Sequence, residues 1–153
     1  MIIDVDAHHG NGNARAFVEN KNVVLLDAYN VDVYPDDKHT RHRVDIAVPL
    51  RSGTDGATYL SKLEEALDRI TSSFRLAFVV AGTDVLTGDP LGKLDLTIGE
   101  CVERDRLVLG RLNELSTPAV VLAGGGYSAD STKAMIASIL RNVAGRSRSD
   151  GGL

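Results

Sequence analysis

The chain has 153 residues, 43% hydrophobic and 25% charged, with a formal charge of −4. That length fits one domain with a buried core, and the acidic balance excludes a general attraction to nucleic acid or an anionic membrane surface. No apolar run reaches membrane-spanning length and no basic-then-apolar leader is present, so the default expectation is a cytoplasmic protein. The lone cysteine, Cys101, cannot make an internal disulfide; within a helical pattern it reads as a packed small apolar residue. Arg41-His42-Arg43 and Arg146-Ser147-Arg148 are too short to form a basic patch and read as solvated loop and tail.

In chain order, apolar runs bounded by turn residues predict five strands, over residues 1–5, 22–28, 44–49, 76–81 and 119–123. Their Val and Ile enrichment with little alternation indicates strands covered on both faces. Helical periodicity predicts a short helix over 13–19, then helices over 57–72, 98–115 and 131–143, the second introduced by the turn-like Ser52-Gly53-Thr54-Asp55-Gly56. The third strand is preceded by a polar stretch over 30–43, a length of loop that is more often functional than decorative. Alternating strands and helices predict an α/β fold with three αβα layers around a mostly parallel sheet. The domain is expected over 1–145, followed by a disordered tail over 146–153.

The first strand runs into Asp4-Val5-Asp6-Ala7-His8-His9-Gly10. Strand alternation places Asp4, Asp6 and His8 on one side at the strand's end, where parallel sheets gather their chemistry. Carboxylates beside an imidazole suit a borderline ion such as Zn²⁺. Asp27-Ala28-Tyr29-Asn30, Gly82-Thr83-Asp84 and Gly124-Gly125-Gly126-Tyr127 follow other strands and are expected at the same end. Asp6, His8 and Asp84 then supply three ligands and leave a fourth position for water, the arrangement of a catalytic zinc. Tyr127 could donate to a developing oxyanion, or be a helix-start tyrosine packed on a loop.

Asp4-Val5-Asp6-Ala7-His8-His9-Gly10-Asn11-Gly12, Gly82-Thr83-Asp84 running to Gly88-Asp89-Pro90-Leu91-Gly92, and Gly124-Gly125-Gly126-Tyr127 together resemble the zinc-dependent histone deacetylase family. The order and spacing match as far as about Gly145. Asp27-Ala28-Tyr29-Asn30 with Tyr34-Pro35 looks most like the class IV branch and its bacterial relatives. The resemblance implies the C-terminal portion of an arginase/deacetylase fold. It also implies hydrolysis of N-acyl-lysine, an acylpolyamine or a related small amide by zinc-activated water. Carried over by position, Asp6, His8 and Asp84 are the zinc ligands and Tyr127 the transition-state tyrosine. Asp4, Asp6, His8, Asp27 and Ala28 form a potassium shell, in which the Asp27 carboxylate replaces a hydroxyl common elsewhere in the family. A second potassium is implied at the carbonyls of Phe17, Asn20 and Val23. Tyr34, Leu91, Gly125 and Gly126 line the acyl-lysine tunnel, and His9 is structural.

The family's adjacent histidine pair, its general acid and base, belongs upstream of the Asp-x-Asp-x-His strand, and this sequence has no counterpart. His39 and His42 lie in a polar loop at other spacings and read as solvated. Loss of such a pair removes about 10²- to 10⁴-fold of rate. The expectation is therefore a partial domain, inactive alone, whose partners are the upstream half or further copies of itself; its missing sheet neighbours would leave apolar edges exposed. Two other readings stand beside it. One is a non-catalytic remnant that binds metal or acyl-lysine. The other, weaker, is a magnesium-dependent phosphatase of the haloacid-dehalogenase type, with Asp4 as nucleophile and Gly88-Asp89 as the acidic motif.

Overall fold

The computed structural model describes residues 1–144, so the predicted tail over 146–153, with its Arg146-Ser147-Arg148 run, lies outside the described residues. Five strands form one parallel sheet in the order β3-β2-β1-β4-β5: β1 Ile2–Asp4, β2 Leu25–Asn30, β3 Ile46–Leu50, β4 Ala77–Ala81 and β5 Ala119–Ala123. The helices are α1 Asn11–Ala16, α2 Lys38–Arg41, α3 Gly56–Asp68, α4 Ile98–Glu114 and α5 Ser131–Asn142. From β1 the chain steps outward to β2 and β3, then crosses back through α3 to β4 and on to β5. Right-handed crossovers place helices on opposite faces before and after that reversal, giving the three layers. The packing follows this division. Ile2 and Leu25 pack with Ala14 of α1 on one face, whereas Ile3, Val5 and Leu26 join Leu63, Leu67, Val108 and Leu112 of α3 and α4 on the other.

The reversal in strand order falls between β1 and β4, and the ends of adjacent strands at such a point open the crevice that α/β sheets use for ligands. The loop after β1 carries Asp6 and His8, and the loop after β4 carries Asp84. Local signals set the approach of the long helices. Asp55 caps α3 by accepting from Thr58 N at 2.7 Å, and Thr97 and Glu100 close a reciprocal capping box at the start of α4.

Three expectations are corrected. The polar stretch before β3 contains the short helix α2. β2 begins at Leu25 rather than residue 22, because residues 17–24 loop around a buried arginine described below. The third correction concerns β5, which is exposed at every position rather than covered on both faces. It forms the sheet edge, and among the described residues no element lies beyond it.

Candidate metal centre

Regular strand geometry stops at Asp4, and the next residues bend. His8 N donates to Asp6 Oδ1 at 2.9 Å, turning both side chains toward the loop that follows β4. His8 Nδ1 lies 3.1 Å from Asp6 Oδ1 and 2.8 Å from Asp84 Oδ2. One ligand atom from each of Asp6, His8 and Asp84 lies within 4.8 Å of the others. The backbone clamps this triangle. Ala7 N donates to Asp84 Oδ1 at 2.8 Å, Gly125 N to Asp6 Oδ2 at 2.6 Å, and Thr83 N to Gly125 O at 2.6 Å. Three strand-end loops therefore meet at one point. A Cβ on Gly82 would collide with the Asp6 carboxylate, and one on Gly125 with that of Asp84; only glycine admits so close an approach.

The bend also corrects the expectation that Asp4 shares one side with Asp6 and His8. Asp4 is the register partner of Asp27 across the β1–β2 ladder and belongs to a second, deeper cluster. Asp27 Oδ2 accepts from His9 Nδ1 at 2.6 Å and Gly10 N at 2.9 Å, whereas its buried Oδ1 has no partner. Asp4 receives only long contacts, from Asp6 N at 3.3 Å and Asn13 Nδ2 at 3.4 Å. Burial, then the charges of Asp27 and Asp6, push the Asp4 carboxyl up to about 8. Burial also raises Asp27, opposed by its bond to His9, and burial with the Asp6 charge pushes Asp84 up to about 7.

Each shift records negative charge buried without enough positive charge beside it. A cation at either cluster removes that cost. The mixed carboxylate and imidazole donors of Asp6, His8 and Asp84 fit zinc. The carboxylate oxygens of Asp4 and the orphaned Asp27 Oδ1 are hard donors of the kind a monovalent ion takes, and the carbonyls of Asp6, His8 and Ala28 are the further donors expected of that shell.

Tyr127 stands at the rim, 52% exposed, its ring edge-on to His8 with centroids 6.2 Å apart. Burial, then the Asp84 and Asp6 charges, raise its phenol, which keeps it a protonated donor. Asp89 holds it there, an anchor whose role the sequence reading did not assign: Oδ1 accepts from Leu91 N and Gly92 N, and Oδ2 from Tyr127 N at 2.9 Å. With its carboxylate committed to three amides and only 2% exposed, Asp89 cannot be the solvent-facing magnesium ligand of the phosphatase reading. A signal for it existed in the sequence, because an aspartate before Pro-Leu-Gly favours such local turns.

Arg104, also missed, is fully buried. Its Nη1 donates to Val5 O at 3.0 Å and Gly82 O at 2.6 Å, and its Nε to Asp105. It thus ties the two ligand-bearing loops to α4; an arginine amid an apolar helical pattern was the available clue.

The remaining predicted residues divide. Leu91 is half exposed near the rim, and a Cβ on Gly126 would meet Thr83 Oγ1. Tyr34 is 79% exposed and lines an open cleft of about 750 Å³ with Val31, Arg41 and Arg51, a lining that includes none of the three metal-cluster residues. His9 is buried between Asp27 and Thr40, the structural place expected of it, and His39 and His42 are exposed. The carbonyls of Phe17, Asn20 and Val23 do converge, and the guanidinium of Arg43 donates to all three, so Arg43 is buried rather than solvated as expected.

The family model for the histone deacetylase domain matches residues 1–143. The chain is 40% identical over 141 residues to histone deacetylase 2 of Arabidopsis thaliana, covering 91% of this chain and 36% of that protein. It is 30% identical over 138 residues to histone deacetylase RPD3 of Saccharomyces cerevisiae, covering 84% of this chain and 31% of that one. A solved deacetylase homologue from Aquifex aeolicus superposes with a TM-score of 0.75 at 24% identity, over 88% of this chain and 39% of that chain. An acetylpolyamine aminohydrolase from Burkholderia pseudomallei gives 0.74 at 21% identity, over 91% and 43%. The chain thus spans between about a third and somewhat under half the length of these relatives. The match over residues 1–143 and the identity to curated deacetylases establish that this chain belongs to the histone deacetylase family.

Proposed function

We propose that the chain forms the metal-binding floor of a zinc-dependent deacylase acting on N-acyl-lysine, an acylated polyamine or a related amide. The observation that carries this reading is the meeting of Asp6, His8 and Asp84 at one point beside the Tyr127 phenol. Zinc held by those three side chains would supply Lewis acidity to an acyl carbonyl and to a water molecule. The residues of the chain do the rest. The Ala7 and Gly125 amides orient the two carboxylates. The Tyr127 hydroxyl donates to the carbonyl oxygen as negative charge gathers there. A potassium ion between Asp4 and Asp27 would neutralise the carboxylates beneath. Leu91, Gly125, Gly126 and Tyr34 would flank the acyl-lysine stem.

Proton transfer to the leaving amine needs a further group. Among the described residues His9 is committed to Asp27 and Thr40, while His39 and His42 are exposed in the polar segment before β3. This favours a second reading, in which the chain alone binds metal and acyl-lysine without turnover and gains an acid and base only when an upstream half-domain is supplied. Assay of the zinc-loaded chain on acetyl-lysine peptide and acetylpolyamine separates the two. Turnover abolished by Asp84→Ala supports the catalytic reading. Zinc-dependent binding of the peptide without turnover supports the second, and no zinc binding at all overturns both.

A further inference from the structure

The loop over residues 17–24 turns three carbonyl oxygens toward one point between α1 and β2. The Phe17 and Asn20 carbonyls each accept one backbone N–H, from Asn20 and Val23, and have a second lone pair to offer. Converging carbonyls of this kind are what a potassium ion takes in exchange for its hydration shell. Here the point is filled by a side chain. Arg43 Nε donates to Phe17 O at 2.6 Å, and its Nη2 donates to Asn20 O at 3.0 Å and to Val23 O at 2.5 Å. Nη1 meets the Asp45 carboxylate at 2.8 Å, and the same Asp45 oxygen accepts from Leu25 N, the first residue of β2. Arg43 is only 4% exposed.

We propose that Arg43 is a covalently tethered cation that takes the place of a diffusible monovalent ion at this loop. Three facts carry it. The guanidinium engages every carbonyl that the ion would use. Its charge has a counter-ion of its own in Asp45, so the loop needs no second positive charge. A potassium ion at the same oxygens would face a like charge at contact distance in a buried setting, where repulsion is poorly screened. The fork of donors spans three acceptors and a carboxylate at once, which a lysine point charge cannot do. The consequence is a division of labour: order in the α1–β2 loop is independent of potassium, leaving the deeper Asp4–Asp27 cluster as the potassium-responsive part of the fold. The inference concerns the loop alone and does not rest on the deacylase reading.

Hydrogen exchange of the full chain tests it, comparing potassium with tetramethylammonium at equal ionic strength. In the native chain, protection of residues 17–24 should be the same in both salts. In Arg43→Ala the carbonyls lose their partner, exchange there should quicken by about tenfold or more, and potassium should restore protection where tetramethylammonium does not. Potassium-dependent protection of 17–24 in the native chain overturns the proposal, as does an Arg43→Ala loop that potassium leaves unprotected. If Arg43→Ala does not fold in either salt, Arg43→Gln, which removes the charge and keeps most of the side-chain volume, is compared in the same two salts. Protection of residues 17–24 that potassium restores and tetramethylammonium does not supports the proposal, and a loop equally exposed in both salts, or equally protected in both, overturns it.

Discussion

At Asp4 and Asp84, burial and neighbouring charge push the carboxyls up to about 8 and about 7, from an ordinary value of 3.8. In the metal-free chain both hold protons that the unfolded chain has released, so the native state binds more protons and stability falls as pH rises across that window. The urea midpoint of the metal-free chain should therefore be higher at pH 5 than at pH 8, and potassium and zinc should flatten the slope; a midpoint that climbs between those values contradicts the assignment. Zinc affinity should run the other way, rising with pH as Asp84 gives up its proton. Replacing Asp84 with Asn removes a ligand outright. It should weaken zinc binding, read by competition with a chromophoric chelator, by more than the roughly 100-fold that losing a supporting group costs. These residues were legible because the metal-binding residue types cluster in short motifs. Arg43 and Arg104 were harder to find, since they work chiefly through backbone atoms far away in sequence and no spacing rule marks those partners; the local turn at Asp89 had a signal, but its bond to Tyr127 N did not.

Among the elements, α4 does most to hold the site in place. Its Arg104 binds the carbonyls that end the β1 and β4 segments, and Asp105 anchors the pair to Ser138 of α5 at 2.5 Å. Arg104→Met leaves a buried aspartate without its cation and should cost about 3–5 kcal/mol in urea unfolding. Thr97→Ala, which only opens the capping box at the exposed start of the same helix, should cost about 1 kcal/mol. Equal losses for the two would show that Arg104 carries no special burden. The five strands and the three long helices were visible in the sequence through apolar periodicity, with ends displaced by a few residues. The four-residue α2 was not, because one turn has no repeat to detect and is held by the Asp37 cap and the His9–Thr40 bond instead.

Across the whole molecule, the open feature is the β5 edge. Val120, Val121 and Leu122 are each about two-fifths exposed, Phe78 beside them likewise, and an apolar cavity of about 500 Å³ lies between β5 and α5. A parallel edge strand with apolar side chains on both faces is a template for further pairing. The isolated chain should therefore self-associate in a concentration-dependent way by sedimentation, and Val121→Lys should shift it toward monomer; a native chain that stays monomeric at high concentration argues against an adhesive edge. By itself the sequence determined the main strands and long helices, the parallel α/β class, the family and the candidate ligand residues, because periodicity and motif chemistry are local. Tertiary structure alone decided three other matters. Strand order brought the β1, β4 and β5 loops together. The bend after Asp4 split one row of acids into two clusters. The fold also set a buried arginine among the carbonyls where a second ion was expected. Each depends on which distant backbone atoms become neighbours, and that is settled by packing.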